Sequence, residues 1–241
     1  MTFNNNFSIS KLFMGKDITV YADNKPFIVK VHSIKEFYEN PDLNSVYHLW
    51  TSSLSSIQKL YFTEVKDSFD AMTTMIFEYG QYGKYRDIAN KIRAVLPLFL
   101  PQVNIDMTQK EIKVNSITMT SEIWEYILYI LKLSCGEKVN QPLSFDSEEA
   151  RKFYMAQREQ EEKIAKLKQS RNGDKDGLAK ILLSITYAFP SITIDYLCNQ
   201  TMAQIQWLQK YAAGAMSYEV NAQALAAGNM KKGKKLDFFI K

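Results

Sequence analysis

The residues best suited to catalysis or metal binding are few in this sequence and lie far apart. It holds two histidines, His32 and His48, and two cysteines, Cys135 and Cys198. No HExxH pair and no local Cys/His cluster occurs, so neighbouring residues cannot compose a zinc site, and both histidines are predicted to be structural. Each cysteine lies in an apolar helical segment, which predicts a buried free thiol rather than a nucleophile or half of a disulfide.

One loop imitates the start of a calcium-binding loop. Residues 172–177 read Asn-Gly-Asp-Lys-Asp-Gly, with oxygen-bearing side chains at alternate positions and a glycine sixth. The twelfth position should be a bidentate glutamate, but it is Leu183. We therefore predict a flexible turn here and no metal ligand.

Cofactor and nucleophile motifs are also missing from the sequence. The nine glycines form neither a phosphate-binding loop nor a dinucleotide fingerprint, and no serine has a GxSxG context. Paired acids such as Glu148-Glu149 and Glu161-Glu162 fall in a charged helical segment, where a solvated face is expected. We predict no catalytic, cofactor-binding or metal-binding residue, and a protein that is not an enzyme.

The last predicted helix, residues 201–227, carries two sets of large or apolar side chains. One set has the spacing of a core-facing stripe: Met202, Ile205, Leu208, Ala212 and Ala215. Trp207, Tyr211 and Tyr218 lie off that stripe. They are either an exposed aromatic strip for a partner or a second core face of a long helix. We assign them to partner binding.

A lysine-rich tail follows this helix and ends in apolar residues. Residues 231–241 hold five lysines and one aspartate, a charge of +4; the whole chain is also +4, so the remainder is neutral. Nucleic-acid binders usually carry their basic face on the folded body, so nucleic acid is disfavoured. The tail is either a solvated end or docks on a partner or on the protein's own body. Its residues assigned to partner binding are Lys231, Lys232, Lys234, Lys235, Phe238 and Phe239.

The elements that must position these residues are mostly helical. Two β-hairpins are predicted in the first half. In residues 17–31 the turn falls at Asp23-Asn24-Lys25, with Ile18 and Val20 on one face and Phe27 and Val29 opposite. In residues 103–119 it falls at 108–110. Ser33 caps a short helix, residues 42–80 are helical throughout, residues 85–96 form a helix, and Thr120 or Ser121 caps a buried helix that ends at Gly136.

The second half is predicted to be helical. Residues 147–171 form a charged helix, either a solvated spacer or a helix whose partner lies elsewhere. A helix then begins at 176 or 177 and ends before Pro190, Thr193 caps a short turn, and the long helix follows. The fold is therefore mainly α, with two small β-hairpins. The predicted domains are an N-terminal α+β domain (1–140), a charged helix and linker (141–176) and a C-terminal helical module with a basic tail (177–241).

The composition and the first residues of the sequence predict the cellular compartment. An apolar fraction of 46% is typical of a globular protein with a core. No run approaches the roughly 18 apolar residues that a membrane span needs. The first residues have no basic segment followed by an apolar run, so a signal peptide is not expected. We predict a cytoplasmic protein.

Residues 180–235 resemble the C-terminal part of tail assembly chaperones of long-tailed bacteriophages. The features that carry the resemblance are Tyr187-Ala188-Phe189-Pro190, the turn at 194–197, the helix start at 201–208 and the alanine-rich helix ending in Gly228-Asn229. The resemblance covers about a quarter of the chain. Family members are often shorter, and the charged helix at 147–171 has no counterpart in the pattern.

The resemblance implies an α-helical, non-enzymatic chaperone that binds the tape-measure protein and recruits tail-tube subunits in the host cell cytoplasm. Such a protein acts without cofactors and is usually absent from the finished particle. The resemblance is compatible with a homo-oligomer, because chaperones that coat a long partner usually act in many copies. The alternatives are a structural virion protein of the tail or connector, and a regulatory or nucleic-acid adaptor that uses the basic tail.

Overall fold

The computed structural model describes Gly15 and residues 17–52, 54–61, 64–79, 83–137 and 177–227. Within these ranges the protein is mainly α-helical, with two small antiparallel sheets, which confirms the predicted fold class. The charged helix predicted over 147–171 lies outside the described residues. So does the tail.

The first predicted hairpin is confirmed, with strands β1 (Ile18–Ala22) and β2 (Lys25–Val29). Its loop is Asp23-Asn24, and both residues have positive φ, 49° and 62°. Two-residue hairpin loops of type I′ need positive φ at both positions, and Asp and Asn tolerate it. The apolar alternate side chains are cross-strand partners on one buried face: Ile18, Val20, Phe27 and Val29.

Five helices follow the hairpin: α1 (Ile34–Glu39), α2 (Pro41–Thr51), α3 (Leu54–Tyr61), α4 (Ser68–Phe77) and α5 (Gly83–Phe99). The prediction of continuous helix over 42–80 is wrong, because the chain breaks twice. Ser52 adopts an extended backbone after α2. Asp67 is also extended, and its side chain accepts the Asp70 N–H at 2.9 Å, so it starts α4 as an N-cap. The apolar residues keep their helical spacing across both breaks, so the breaks could not be recognised from the sequence.

A small sheet and a buried helix complete the first half: β3 (Val103–Asp106), β4 (Glu111–Val114), β5 (Ile117–Thr118) and α6 (Ser121–Ser134). The second predicted hairpin is confirmed as β3–β4, but β5 extends it to three strands. Asn115 and Ser116 form the second tight turn, with φ of 46° and 64°. Of the two predicted caps, Thr120 and Ser121, Thr120 is the N-cap of α6, and Ser121 is its first residue.

The larger core lies between the first hairpin, α2, α4, α5, β4 and α6. Trp124 of α6 is completely buried and makes an edge-to-face contact with Trp50, ring centroids 5.0 Å apart. Phe99 also contacts Trp50, with ring centroids 5.4 Å apart. Aromatic pairs in such geometries contribute beyond the area they bury, so this cluster is the centre of the core.

The C-terminal helices are α7 (Gly177–Ala188), α8 (Ile194–Cys198) and α9 (Met202–Ala226), close to the predicted bounds. Thr193 caps α8 as predicted, accepting the Tyr196 N–H at 3.2 Å. These helices bury a smaller cluster that includes Ile185, Leu197 and Ile205. Ile34 of α1 belongs to the same cluster, and its N–H donates to the Gln200 carbonyl at 2.9 Å. The start of α1 therefore joins both parts of the molecule.

Replacing Gly136 by alanine should lower the free energy of unfolding by about 1–2 kcal/mol, the cost of a left-handed backbone at a residue with a Cβ. Gly136 directly follows Cys135, the C-cap of α6, and has φ +78°. A Cβ there would also come within 2.5 Å of the Gln206 side-chain amide, which can rotate away. Urea unfolding measures the loss. Gly177→Ala is the control, because nothing lies within 4 Å of its Cβ position; equal effects at the two sites would contradict the prediction.

Candidate partner-binding site

The aromatic residues predicted to bind a partner lie on the exposed side of α9. Trp207, Tyr211 and Tyr218 are 51%, 41% and 36% exposed. Their spacing of four and seven residues places them along one side of the helix. Ile205 and Ala212, from the predicted core stripe, are buried in the smaller cluster. One side of α9 thus packs inward while another presents rings to solvent.

Two of these rings, Trp207 and Tyr211, form a stacked row together with Phe189. Trp207 stacks on Tyr211 with centroids 5.7 Å apart and planes 14° apart, and Tyr211 stacks on Phe189 at 5.8 Å and 24°. Phe189 follows α7 and is partly buried against the smaller cluster. The row therefore runs from the core to the surface. Rings held by stacking lose little conformational entropy when a partner binds.

Phe189 was not predicted as a site residue. Its place directly before Pro190, at the end of α7, marks only a helix end. Its contact with Tyr211 depends on how α7 packs beside α9. Local sequence carries no signal for that.

The surface of the C-terminal helices is rich in exposed apolar side chains and poor in charge. Residues 177–227 contain two lysines, one aspartate and one glutamate, so their net charge is zero. Large apolar side chains are exposed on all three helices: Leu183, Tyr187, Ile194, Tyr196 and Val220. Low charge with exposed aromatic residues is the composition found at the centre of protein interfaces.

The remaining residues assigned to partner binding lie beyond the described part of the chain: Lys231, Lys232, Lys234, Lys235, Phe238 and Phe239. Most of the calcium-like loop, residues 172–176, also lies outside it. Leu183, at the position where a calcium loop needs glutamate, is exposed on α7. Its side chain has no oxygen to offer a cation.

The two cysteines are free and partly buried. Burial raises the pKa of the Cys135 thiol to about 11, so very little thiolate is present at neutral pH. Among the described residues, no group of three or more His, Cys, Asp or Glu side chains is placed to hold a metal ion. Nor is any helix in those ranges long and apolar enough to cross a membrane.

His32 is buried at the junction where α1 begins. Its Nε2 lies 3.2 Å from the Leu98 carbonyl oxygen, and its Nδ1 lies 3.4 Å from Glu36 Oε1. Glu36 also accepts the Ser33 N–H at 2.7 Å, which completes the capping box of α1. Burial lowers the pKa of His32, and the Lys30 charge lowers it further, although Glu36 opposes both effects. The folded protein therefore favours neutral His32.

Stability should fall as the pH drops below about 6.5, the pKa of an unperturbed histidine. The unfolded chain binds a proton there that folded His32 resists. The stabilisation is full above that pKa and is lost as the pH approaches the lower folded pKa. Urea unfolding at about pH 7.5 and about pH 5.5 measures the loss, before carboxylates titrate. His32→Gln should flatten the dependence and exposed His48→Gln should retain it; an unchanged slope in His32→Gln would refute the assignment.

Comparison of the chain with protein-family models, with curated proteins and with solved structures gives no significant match. Its function is therefore inferred from the residues of the site, together with the resemblance of its C-terminal sequence.

Proposed function

We propose that the protein is a non-enzymatic tail assembly chaperone of a long-tailed bacteriophage. It binds the tape-measure protein and recruits tail-tube subunits in the host cytoplasm. The observation that carries the proposal is the row of stacked rings Trp207, Tyr211 and Phe189 on the C-terminal helices. These rings lie within the residues that resemble the chaperone family, 180–235.

A chaperone of this kind needs an exposed apolar surface on a stable scaffold, and it needs no reactive group. Tryptophan and tyrosine are the residues most often found at the energetic centres of interfaces, because they bury much area with few rotatable bonds. Trp207 stacks on Tyr211, and Tyr211 stacks on Phe189, which packs against the smaller cluster. The partner therefore meets a preformed surface.

The length of the aromatic strip indicates the size of the partner segment. Trp207 and Tyr218 are eleven residues apart on α9, which corresponds to about 16 Å along the helix axis. A partner segment that contacts both must present apolar side chains over a similar length. In the proposal, this segment belongs to the tape-measure protein.

Co-expression of the chain with the tape-measure and tail-tube proteins of the same genome tests the proposal. The chain should co-purify with the tape-measure protein and should be absent from purified particles. Its presence in particles in stoichiometric amount would instead identify a structural virion protein. Failure to co-purify with either protein would overturn the proposal.

Salt dependence separates the proposal from a nucleic-acid adaptor. A contact made by rings on a surface of zero net charge should change little between about 50 and 200 mM salt. Binding through phosphates would fall steeply over the same range. Fluorescence anisotropy measures how the binding affinity changes with salt concentration. A labelled tape-measure fragment is compared with labelled DNA and RNA.

A further inference from the structure

Among the described residues, one edge of the first hairpin has hydrogen-bond partners and the other edge has none. On the outer side of β2, the Ile28 N–H donates to Gln102 Oε1 at 3.1 Å, and the Pro26 carbonyl accepts from Asn115 Nδ2 at 2.7 Å. These two residues therefore direct their backbone groups away from β1. Pro26 suits this position because it has no N–H to leave unpaired.

The opposite edge belongs to β1. Thr19 and Tyr21 pair in register with Ile28 and Pro26, so their backbone N–H and C=O groups point outward from the other side of the sheet. Both residues are exposed. In the described part of the chain, no hydrogen bond outside the hairpin reaches these groups. Such an edge is a template for another strand.

The ends of β1 carry charges that select the strand it can accept. Asp17 precedes it, Asp23 follows it, and both are exposed. Two β1 strands paired antiparallel about Val20 would place Asp17 opposite the Asp23 of the other copy. Like charges directly opposite destabilise a sheet. The edge therefore favours a partner strand of about five residues that has a basic residue directly before it and another directly after it.

The C-terminus of the chain has this pattern. Residues 235–241 read Lys-Leu-Asp-Phe-Phe-Ile-Lys. They lie outside the described residues, and their sequence alone enters the argument. Paired antiparallel about Val20 and Phe238, this sequence would set Lys241 against Asp17 and Lys235 against Asp23. Leu236, Phe238 and Ile240 would fall on the side of the sheet where β1 is apolar.

We propose that the open edge of β1 binds residues 236–240 of a second copy of the chain as an antiparallel strand. Reach favours a second copy. The Gln204 side chain lies against Gly15, close to β1, and α9 continues for about 33 Å beyond Gln204. The connection from 227 to 235 spans at most about 30 Å when fully extended, so the tail of the same molecule would have to be straight to return.

Disulfide trapping between different chains tests the pairing, because a directly opposite antiparallel pair has Cα atoms about 5.5 Å apart, within disulfide reach. Full-length Thr19→Cys and Phe239→Cys chains, both carrying Cys198→Ser and differing in tag, are mixed and oxidised. A mixed disulfide dimer is expected. Thr19→Cys with Asp237→Cys is the control for register and direction and should give at least about tenfold less.

The results that would overturn the proposal are equal crosslinking of the two pairs, or no crosslink with Phe239→Cys. A chain carrying both Thr19→Cys and Phe239→Cys gives a further check. Crosslinked oligomers are expected from it, whereas a crosslink formed only within one chain would refute the assignment to a second copy.

Charge reversal in the tail provides an independent measurement. Lys235→Glu with Lys241→Glu should weaken self-association by about tenfold or more, measured by sedimentation velocity over a concentration series. Lys231→Glu with Lys232→Glu makes the same change of charge outside the paired residues and should have a much smaller effect. Equal effects would indicate general electrostatics and would overturn the proposed pairing. Neither pair alters the stacked rings, so failure here leaves the proposed function standing.

Discussion

Replacing Trp124 by alanine should lower the free energy of unfolding by about 3–5 kcal/mol, as expected for removing a large aromatic side chain from a packed core. Trp124 is completely buried in the larger core, where it makes an edge-to-face contact with Trp50. Urea unfolding followed by circular dichroism measures the change.

A conservative variant at the same position separates packing from polarity. The Trp124 indole Nε1 is buried with no hydrogen-bond partner in the described structure. Trp124→Phe removes this unpaired donor and keeps part of the ring volume, so it should cost clearly less than alanine. A loss below about 1 kcal/mol for Trp124→Ala would show that this position lies outside the cooperative core.

Under the proposed function, replacing Trp207 by alanine should weaken binding of the tape-measure protein by about 2 kcal/mol or more, the effect of removing an interface hot spot. The melting temperature should hardly change, because half of the side chain is already exposed. Titration calorimetry with a tape-measure fragment measures the first quantity and thermal unfolding the second. Both quantities are measured on the same protein preparation, so folding and binding are compared directly.

Two controls decide what the Trp207 result means. Tyr38→Ala removes a more exposed aromatic side chain on α1, away from the stacked row, and should leave binding intact. Trp124→Ala provides the stability loss of a core tryptophan. If Trp207→Ala destabilises the protein as much as Trp124→Ala does, Trp207 is structural; if it binds like the wild type, the proposed site is wrong.

Sequence predicted the parts of the fold that depend on local chemistry. The turn at Asp23-Asn24, the cap of α6 at Thr120 or Ser121 and the cap at Thr193 were predicted because each is decided by neighbouring residues, although Lys25, predicted in the turn, belongs to β2. The breaks after α2 and before α4 were missed because apolar spacing continues across them. β5 was missed because a strand of two residues has no detectable alternation.

The candidate site was also predicted only where local sequence decides it. Helical spacing alone separated Trp207, Tyr211 and Tyr218 from the core stripe of α9. That Phe189 continues the row depends on the packing of α7 against α9, with more than twenty residues of chain between Phe189 and Tyr211. Stacking between distant segments has no periodic signature, so sequence reasoning could not find it.

The position of Ile34 has a consequence for local opening of the native state. Its side chain is buried with the C-terminal helices, and its N–H donates to the Gln200 carbonyl, although it is the first residue of α1. Detachment of α7, α8 and α9 from the rest of the protein would break this bond even if the larger core stayed intact. Amide hydrogen exchange at Ile34 therefore reports that opening separately from global unfolding. A ligand that holds the C-terminal helices in place would slow exchange at this one amide, far along the chain from Trp207.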